Sequence, residues 1–349
     1  MTHSVVSTPP LDVDRLGAWL QQNVPGFRGL RDAQRLVGGN SNPIWRLQAA
    51  SGPYILRTQP AGELLKSAHA LDREFRLLSA LHGSGVPVPR IHVLCNDLDV
   101  VGVQFYLMDF IDGVVHRHVA LPGLPSARRR PVYHAAIDAL AAIHRSDIDA
   151  LGLRDFGRPG NYFERQLHRW GQQYRTAMPE GDPELERLIA ALERAMPHGA
   201  HPVVLLHGDS RIDNLMFAAG EDADPRVVAV LDWELSTLGH PLADLGQFLA
   251  VQDLPADYLL PGLAGVDRAA QGLPDEAELR ARYFAAMGQA PVADMRFFKA
   301  FAMFRQAAMS AGLRRRAALG TAVAESALQF GDTLGVFART GLDILDGPA

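Results

Sequence analysis

The polar octet at residues 207–214, His-Gly-Asp-Ser-Arg-Ile-Asp-Asn, interrupts a series of short apolar runs, and it constrains the fold more than any other segment. Val203 to Leu206, just before it, reads as a short buried strand leading into a loop. After it come Leu215-Met216-Phe217, a turn-rich stretch from Ala218 to Pro225, and Val227 to Leu231. Two apolar runs around a Gly/Asp/Pro turn predict a β-hairpin. Asn214 precedes the first strand and Asp232 follows the second, so antiparallel pairing returns both to the same open end. An amide oxygen and a carboxylate side by side suit Mg²⁺, which prefers hard oxygen ligands. Asp209 projects from the same loop and can orient a hydroxyl and accept its proton.

H-x-D-x-x-x-x-N followed by a downstream aspartate is the pattern of kinase-type phosphoryl transfer. His-Gly-Asp alone is a common tripeptide, and any aspartate can cap a turn. The eight-residue pattern, the hairpin and Asp232 carry the reading together.

The chain has 349 residues, enough for two lobes with sizeable cores. Hydrophobic residues make up 48% and charged residues 21%, as in an ordinary globular protein. A net charge of -5 gives no reason to expect nucleic acid as a partner. No apolar run reaches the ~20 residues of a membrane span. Met1 to Pro10 lacks a basic segment followed by an apolar core, so no secretory signal is read there, and these residues are expected to be flexible. Cys95 is the single cysteine, which excludes an internal disulfide and points to a cytoplasmic setting. It reads as a small core filler.

The N-terminal part, residues 1–112, carries strand-like segments around one strong helix. From 113 to 349 the pattern is mostly helical apart from the hairpin. Leu36-Val37, the glycine turn Gly38-Gly39-Asn40-Ser41-Asn42 and Ile44 to Leu47 read as strand, turn, strand. Such a turn lets backbone N–H groups approach phosphates, although glycine turns also join many ordinary hairpins. Tyr54-Ile55-Leu56-Arg57 is a strand ending in a cation. Residues 63–82 predict an amphipathic helix through Leu64, Ala68, Leu71, Phe75 and Leu78, with Glu74 on the edge of the apolar stripe. A carboxylate there wants a cation. Arg57 is the candidate for the strand-to-helix pair that positions ATP phosphates in kinases; Arg73 and Arg76 are the local alternatives. Residues 105–113 turn from apolar to polar at a glycine, as a strand entering a hinge would.

The chain resembles the aminoglycoside phosphotransferase superfamily, and within it the bacterial branch related to the kinase-like domain fused to acyl-CoA dehydrogenases. The residues that carry this are Gly38 to Asn42, Tyr54 to Arg57, Ser67-Ala68-His69 with Arg73-Glu74, His207 to Asn214, Leu231 to Gly239 and Pro241 to Leu245. The resemblance runs from about residue 30 to the C-terminus.

The family implies an α+β, protein-kinase-like two-lobed fold: a small antiparallel β-sheet N-lobe and a mainly helical C-lobe. Asp209 would be the catalytic base, Asn214 and Asp232 the Mg²⁺ ligands. Gly38, Gly39, Asn40, Ser41 and Asn42 would form the phosphate loop. Arg57, paired with Glu74, would touch the α/β-phosphates of ATP. Many relatives carry lysine at that position, so Arg57 departs from the pattern, yet a guanidinium can still bridge phosphate and carboxylate. Arg211 stands where protein kinases place a lysine facing the γ-phosphate. The backbone of Asp109 and Ile111 would bind adenine, with Met108 behind the ring. His207 and Asp244 would hold the loop in shape.

The implied activity is ATP- and Mg²⁺-dependent phosphorylation of a hydroxyl on a small molecule, with a hydroxyacyl-CoA suggested by the dehydrogenase-fused relatives. The alternatives are a nucleotide-binding or accessory protein of acyl-CoA metabolism without catalysis, and an antibiotic kinase. Among the remaining features, His116 and His118 have no Asp/His/Cys cluster that would make them a metal site. Arg128 to Arg130 and Arg314 to Arg316 read as solvated faces, or as attractors of an anionic substrate. Phe297, Phe298, Phe301 and Phe304 read as core. Phe163, Trp170 and Tyr174 are candidates for the acceptor pocket.

Overall fold

The computed structural model describes residues 11–36, 42–60, 71–158, 160–197, 202–220, 224–318 and 333–347. Residues 1–10, most of the glycine turn (Gly38 to Ser41) and Ser67-Ala68-His69 lie outside this set. The chain divides into two compact units, Met1–Asp112 and Gly113–Ala349.

In the first unit, β1 (Leu30–Leu36), β2 (Ile44–Ala49), β3 (Gly52–Thr58), β4 (Ile91–Cys95) and β5 (Phe105–Asp109) form one sheet in the order β1-β2-β3-β5-β4. All its pairings are antiparallel. Period-two alternation divides its side chains between two faces. Trp45, Leu47, Leu56, Phe105 and Leu107 share a core with Leu16 and Leu20 of α1 (Val13–Asn23) and Val100 of α3 (Leu98–Val101). Sequence periodicity did not suggest α1; its N-cap is Asp12, which accepts from the Arg15 N–H. Cys95 lies in this core, 2% exposed, as its composition-based reading expects.

Arg57 follows Leu56, so alternation turns it to the other face. There α2 (Leu71–Leu81) supplies a stripe of Leu71, Glu74, Leu78 and Leu81. Glu74 therefore lies within the buried stripe rather than on its edge.

The second unit is built around α9 (Arg296–Ala318), whose residues Phe297 to Ala311 are buried almost all round, the signature of a central helix. Packed against it are α5 (Tyr162–Ala177), α6 (Pro183–Arg194), α7 (Leu242–Ala250) and α10 (Leu334–Asp346), while α8 (Glu276–Met287) packs on α4 (Ser126–His144). Phe297, Phe298, Phe301 and Phe304 are core. So are Phe163 and Tyr174, both 0% exposed. Phe163 packs edge-on against Phe297 and Phe301 at 5.1 and 5.0 Å, and the Tyr174 hydroxyl bonds the backbone at Asp182. The expectation that these two line an acceptor pocket is thus overturned: aromatic spacing on α5 marks its core face.

The polar octet is framed by short strands. β7 (Val204–Leu206) enters it and pairs antiparallel with β10 (Thr237–Gly239). Beyond it, β8 (Leu215–Phe217) pairs with β9 (Val227–Val230) as the predicted hairpin, and β6 (Val114–Val115) adds a third strand. His116 and His118 lie just beyond β6; the His116 ring rests 5.3 Å from Phe217, and His118 Nδ1 accepts from the Ala120 N–H. Among the described residues no group of His, Cys, Asp and Glu forms a metal cluster, and no helix is long and apolar enough to cross a membrane.

Candidate active site

In the first unit the strand-to-helix pair is formed. Arg57 Nε lies 3.2 Å from Glu74 Oε2, with side-chain exposures of 7% and 5%. Both ladders of β3 fix the backbone here, since Arg57 faces Ile44 on β2 and Tyr106 on β5. At the end of β5, Met108 is half-buried. The Asp109 N–H is committed to the Arg90 carbonyl at 2.9 Å, and its carboxylate meets His92 Nε2 at 2.6 Å. Of its main-chain groups, only the carbonyl is then a candidate contact for a ligand. Ile111 follows as irregular backbone. Asn42, the described end of the glycine turn, is 5% exposed, and its Oδ1 has no partner among the described residues.

In the second unit the octet has almost no ladder of its own, only a short 3-10 turn over Ile212–Asn214, so side chains hold it. Asp244, 0% exposed on α7, accepts from the His207 N–H at 2.6 Å and the Gly208 N–H at 3.0 Å. His144 on α4 reaches the same carboxylate at 3.3 Å, and its Nδ1 meets the Tyr283 hydroxyl at 2.6 Å. Burial alone would raise the Asp244 pKa. Its bond to His144, the nearby His207 and the Gly208 N–H outweigh that and hold it below the ordinary value. His207 Nδ1 accepts from the Asp209 N–H at 3.2 Å, which leaves Nε2 as the donor to the Leu231 carbonyl at 2.7 Å. One imidazole thus ties the octet to the far strand of the hairpin, and its ring rests 4.9 Å from Trp233.

Asn214 Nδ2 donates twice to Asp209, to its carbonyl at 2.8 Å and to Oδ2 at 3.0 Å. With the amide nitrogen so occupied, Oδ1 is the atom left for another ligand. The Leu231 N–H donates to the Asn214 carbonyl at 2.8 Å, which closes the base of the hairpin and brings Asp232 beside Asn214. Asp232 sits in the left-handed region with φ 62° and ψ 66°, a conformation that aspartate tolerates better than most side chains.

Arg211 chelates Asp213 with Nε at 3.0 Å and Nη2 also bonded. Burial pulls the Arg211 pKa down, but Asp209, Asp213 and Asp232 more than offset this and raise it. The guanidinium is therefore permanently charged and within the field of all three carboxylates. Arg211 and Asp213 also border a cavity with Arg117, Val119, Leu254 and Leu260.

Sequence reasoning missed Asp213 as the partner of Arg211, although it stands two residues away inside the motif. It missed His144 and Tyr283 because nothing local marks them. Of the basic run at 128–130, Arg130 pairs with Glu278, and Arg129 bonds Gln271 and the Leu124 carbonyl; these two tie segments of the unit together. Arg314 to Arg316 are exposed.

The profile of the phosphotransferase enzyme family known as APH matches residues 32–297. Mouse acyl-CoA dehydrogenase family member 10 is 40% identical over 294 residues, 84% of this chain and 27% of that protein. Human acyl-CoA dehydrogenase family member 11 is 35% identical over 338 residues, 95% of this chain and 43% of that protein. The chain thus spans less than half the length of either curated relative. Among solved structures, a Ralstonia eutropha JMP134 protein assigned to the aminoglycoside phosphotransferases is 38% identical with a TM-score of 0.85, covering 97% of this chain and 99% of that one. A spectinomycin phosphotransferase solved with ADP and spectinomycin shares the fold, at 12% identity and a TM-score of 0.62 over 96% of this chain and 99% of that one.

Proposed function

The chain belongs to the phosphotransferase enzyme family, and from that premise we propose that it transfers the γ-phosphoryl group of ATP to a hydroxyl of a small molecule. The observation that carries this reading is the Asp209–Asn214 unit: one amide nitrogen bonded to both the carbonyl and the carboxylate of Asp209, at the base of the hairpin that delivers Asp232. Simple scaffolding of a loop has no use for three such polar side chains converging there.

In this reading Asp209 orients the acceptor hydroxyl and takes its proton. Asn214 Oδ1 and Asp232 fit Mg²⁺, which binds through few protein oxygens and keeps the rest of its shell for water and phosphate. Mg²⁺ would supply charge neutralisation to the phosphates. Arg57, oriented by Glu74, meets the α/β-phosphates, with Gly38 to Asn42 as the phosphate turn. The Asp109 carbonyl, the Ile111 backbone and Met108 receive the adenine. Arg211, held by Asp213, spreads the charge of the transferred group.

The cavity beside Arg211 is the acceptor candidate. Its walls include Val119, Leu254 and Leu260, its cations are Arg117 and Arg211, and its carboxylate, Asp213, is already engaged by Arg211. An apolar, cationic lining suits a hydroxylated acyl compound, in keeping with the dehydrogenase names of the curated relatives, better than a polycationic antibiotic.

A thermal-shift screen with Mg²⁺ and ATP, ADP, GTP, CoA, hydroxyacyl-CoAs, aminoglycosides and macrolides tests the reading. A ligand that binds only the folded state raises Tm. Mg·ATP together with one acceptor class is expected to do so. Asp209→Asn is expected to cut turnover of that acceptor by about 10²-fold or more while Mg·ATP still binds. No shift with any nucleotide at millimolar concentration would sink it.

A further inference from the structure

We infer that Arg305 on α9 is a positioning residue that fixes the Gly208–Asp209 peptide, and through it the aim of the Asp209 carboxylate. The inference rests on the reading of Asp209 as proton acceptor. Arg305 is 4% exposed. A guanidinium buried this deeply ordinarily faces a carboxylate. The partners seen here are a carbonyl and a ring. Nη2 donates to the Gly208 carbonyl at 2.6 Å, and the guanidinium carbon lies 5.9 Å from the Trp170 ring centroid. The short bond is of the charge-assisted kind.

The peptide it holds has little freedom. Gly208 has φ +87°, and a Cβ there would lie 2.2 Å from the Leu235 carbonyl oxygen. Asp244 takes the N–H groups of His207 and Gly208, while Arg305 takes the next carbonyl. An anion thus faces the amides of this stretch and a cation its carbonyl. The Asp209 N–H, the other end of the peptide held by Arg305, is spent on His207 Nδ1. Rotating that peptide plane would break both bonds, and losing them frees the backbone on the N-terminal side of Asp209 to shift relative to Asn214.

The packing of α7 on α9 makes the double grip feasible. A Cβ at Gly246 would lie 2.6 Å from the Phe298 carbonyl oxygen, so the two helices meet backbone to backbone there. Asp244 is two residues from that contact, and Arg305 is seven residues, about two turns, beyond Phe298. Both side chains are thereby delivered to one loop. Arg305 and Asp244 also both act electrostatically on the buried Tyr162 hydroxyl.

The test compares Arg305→Met, Arg305→Lys and wild type by calorimetric Mg·ATP binding, steady-state kinetics, and hydrogen exchange of peptides spanning 205–216. Arg305→Met is expected to lower kcat between about tenfold and a hundredfold, with Kd and KM for ATP unchanged and exchange across 207–209 faster. Arg305→Lys, which keeps the charge and a donor, is expected to recover most of the turnover. An unchanged kcat in Arg305→Met, or affinity falling in step with turnover, overturns the inference, as does unchanged exchange. Should Arg305→Met not fold, Arg305→Gln is read the same way. Absence of Mg·ATP binding in wild type would instead sink the proposed phosphotransfer. Exchange then decides the clamp alone, faster exchange supporting it and unchanged exchange overturning it.

Discussion

Arg57 sits on a strand paired on both sides, and its head group meets the Glu74 carboxylate on α2. Asp209 sits in a loop with no ladder along its own backbone, and there Asp244, Arg305 and His207 hold the main chain while Asn214 meets the carboxylate. A strand already fixes φ, ψ and the facing of its side chains, so a functional residue on it needs only a partner for its head group. A loop fixes none of these, and every orphan N–H and C=O within it has to be satisfied from elsewhere in the unit. The first arrangement is expected to tolerate joint replacement of Arg57 and Glu74. The second is a network in which loss of Asp244 alone strands two N–H groups and His144.

The largest effect is therefore expected at the network's hub. Asp244→Ala leaves two buried N–H groups and His144 without their acceptor, and should destabilise the second unit by about 5 kcal/mol, measured by urea unfolding with Trp170 and Trp233 as probes. The same carboxyl gives a pH signature. Because its folded pKa lies below the ordinary 3.8, its contribution is whole above that value and fades as the pH falls through the lower, folded one. Wild type should lose stability on acidification below about pH 4 more steeply than Asp244→Ala. Parallel acid profiles would remove Asp244 from that role.

Glu74→Ala comes next. It takes the Glu74 carboxylate away from the buried Arg57 charge, and should cost the first unit about 3 kcal/mol, read from the urea midpoint with Trp19 and Trp45 as probes. A loss under about 1 kcal/mol would mean that Arg57 finds solvent or another acceptor, as an exposed pair would allow.

Gly208→Ala is smaller. The left-handed conformation costs an alanine roughly 1–2 kcal/mol, and the added Cβ must push back the Leu235 carbonyl. A drop of about 2 kcal/mol in unfolding free energy is expected, with turnover falling further than stability because the displaced peptide carries Asp209. If stability falls while turnover holds, the aim of Asp209 does not depend on this peptide.

These differences also mark what the sequence could disclose. The hairpin and its flanking Asn214 and Asp232 were legible because contiguous apolar runs encode a local pairing. The Arg57–Glu74 pair was legible because a helical stripe broken by one carboxylate demands a cation, and a strand end offered one. His144, Tyr283 and Arg305 were not, since α4, α8 and α9 reach the loop only through tertiary packing and each residue sits in an otherwise ordinary helical pattern. Phe163 and Tyr174 misled for the same reason: an aromatic stripe has the same spacing whether it faces a ligand or the Phe297–Phe304 core.

The smallest expected stability change is the sharpest test of the comparison. Replacing both members of the buried pair, Arg57→Met with Glu74→Met, removes two charges at once and substitutes side chains of similar reach. Desolvation of a buried ion pair roughly cancels its attraction, so an apolar replacement is often neutral or better. The double variant should unfold within about 1 kcal/mol of wild type, although Glu74→Ala alone falls by several times that. Nucleotide affinity should behave in the opposite way and drop in the double variant, since no cation remains on β3 for the phosphates. If the double variant is as unstable as Glu74→Ala, the pair is structural and cannot be removed whole, and the contrast with the loop disappears. If it is stable and still binds Mg·ATP as wild type does, Arg57 has no part in holding phosphate, and the first unit's contribution must come from the glycine turn and the end of β5.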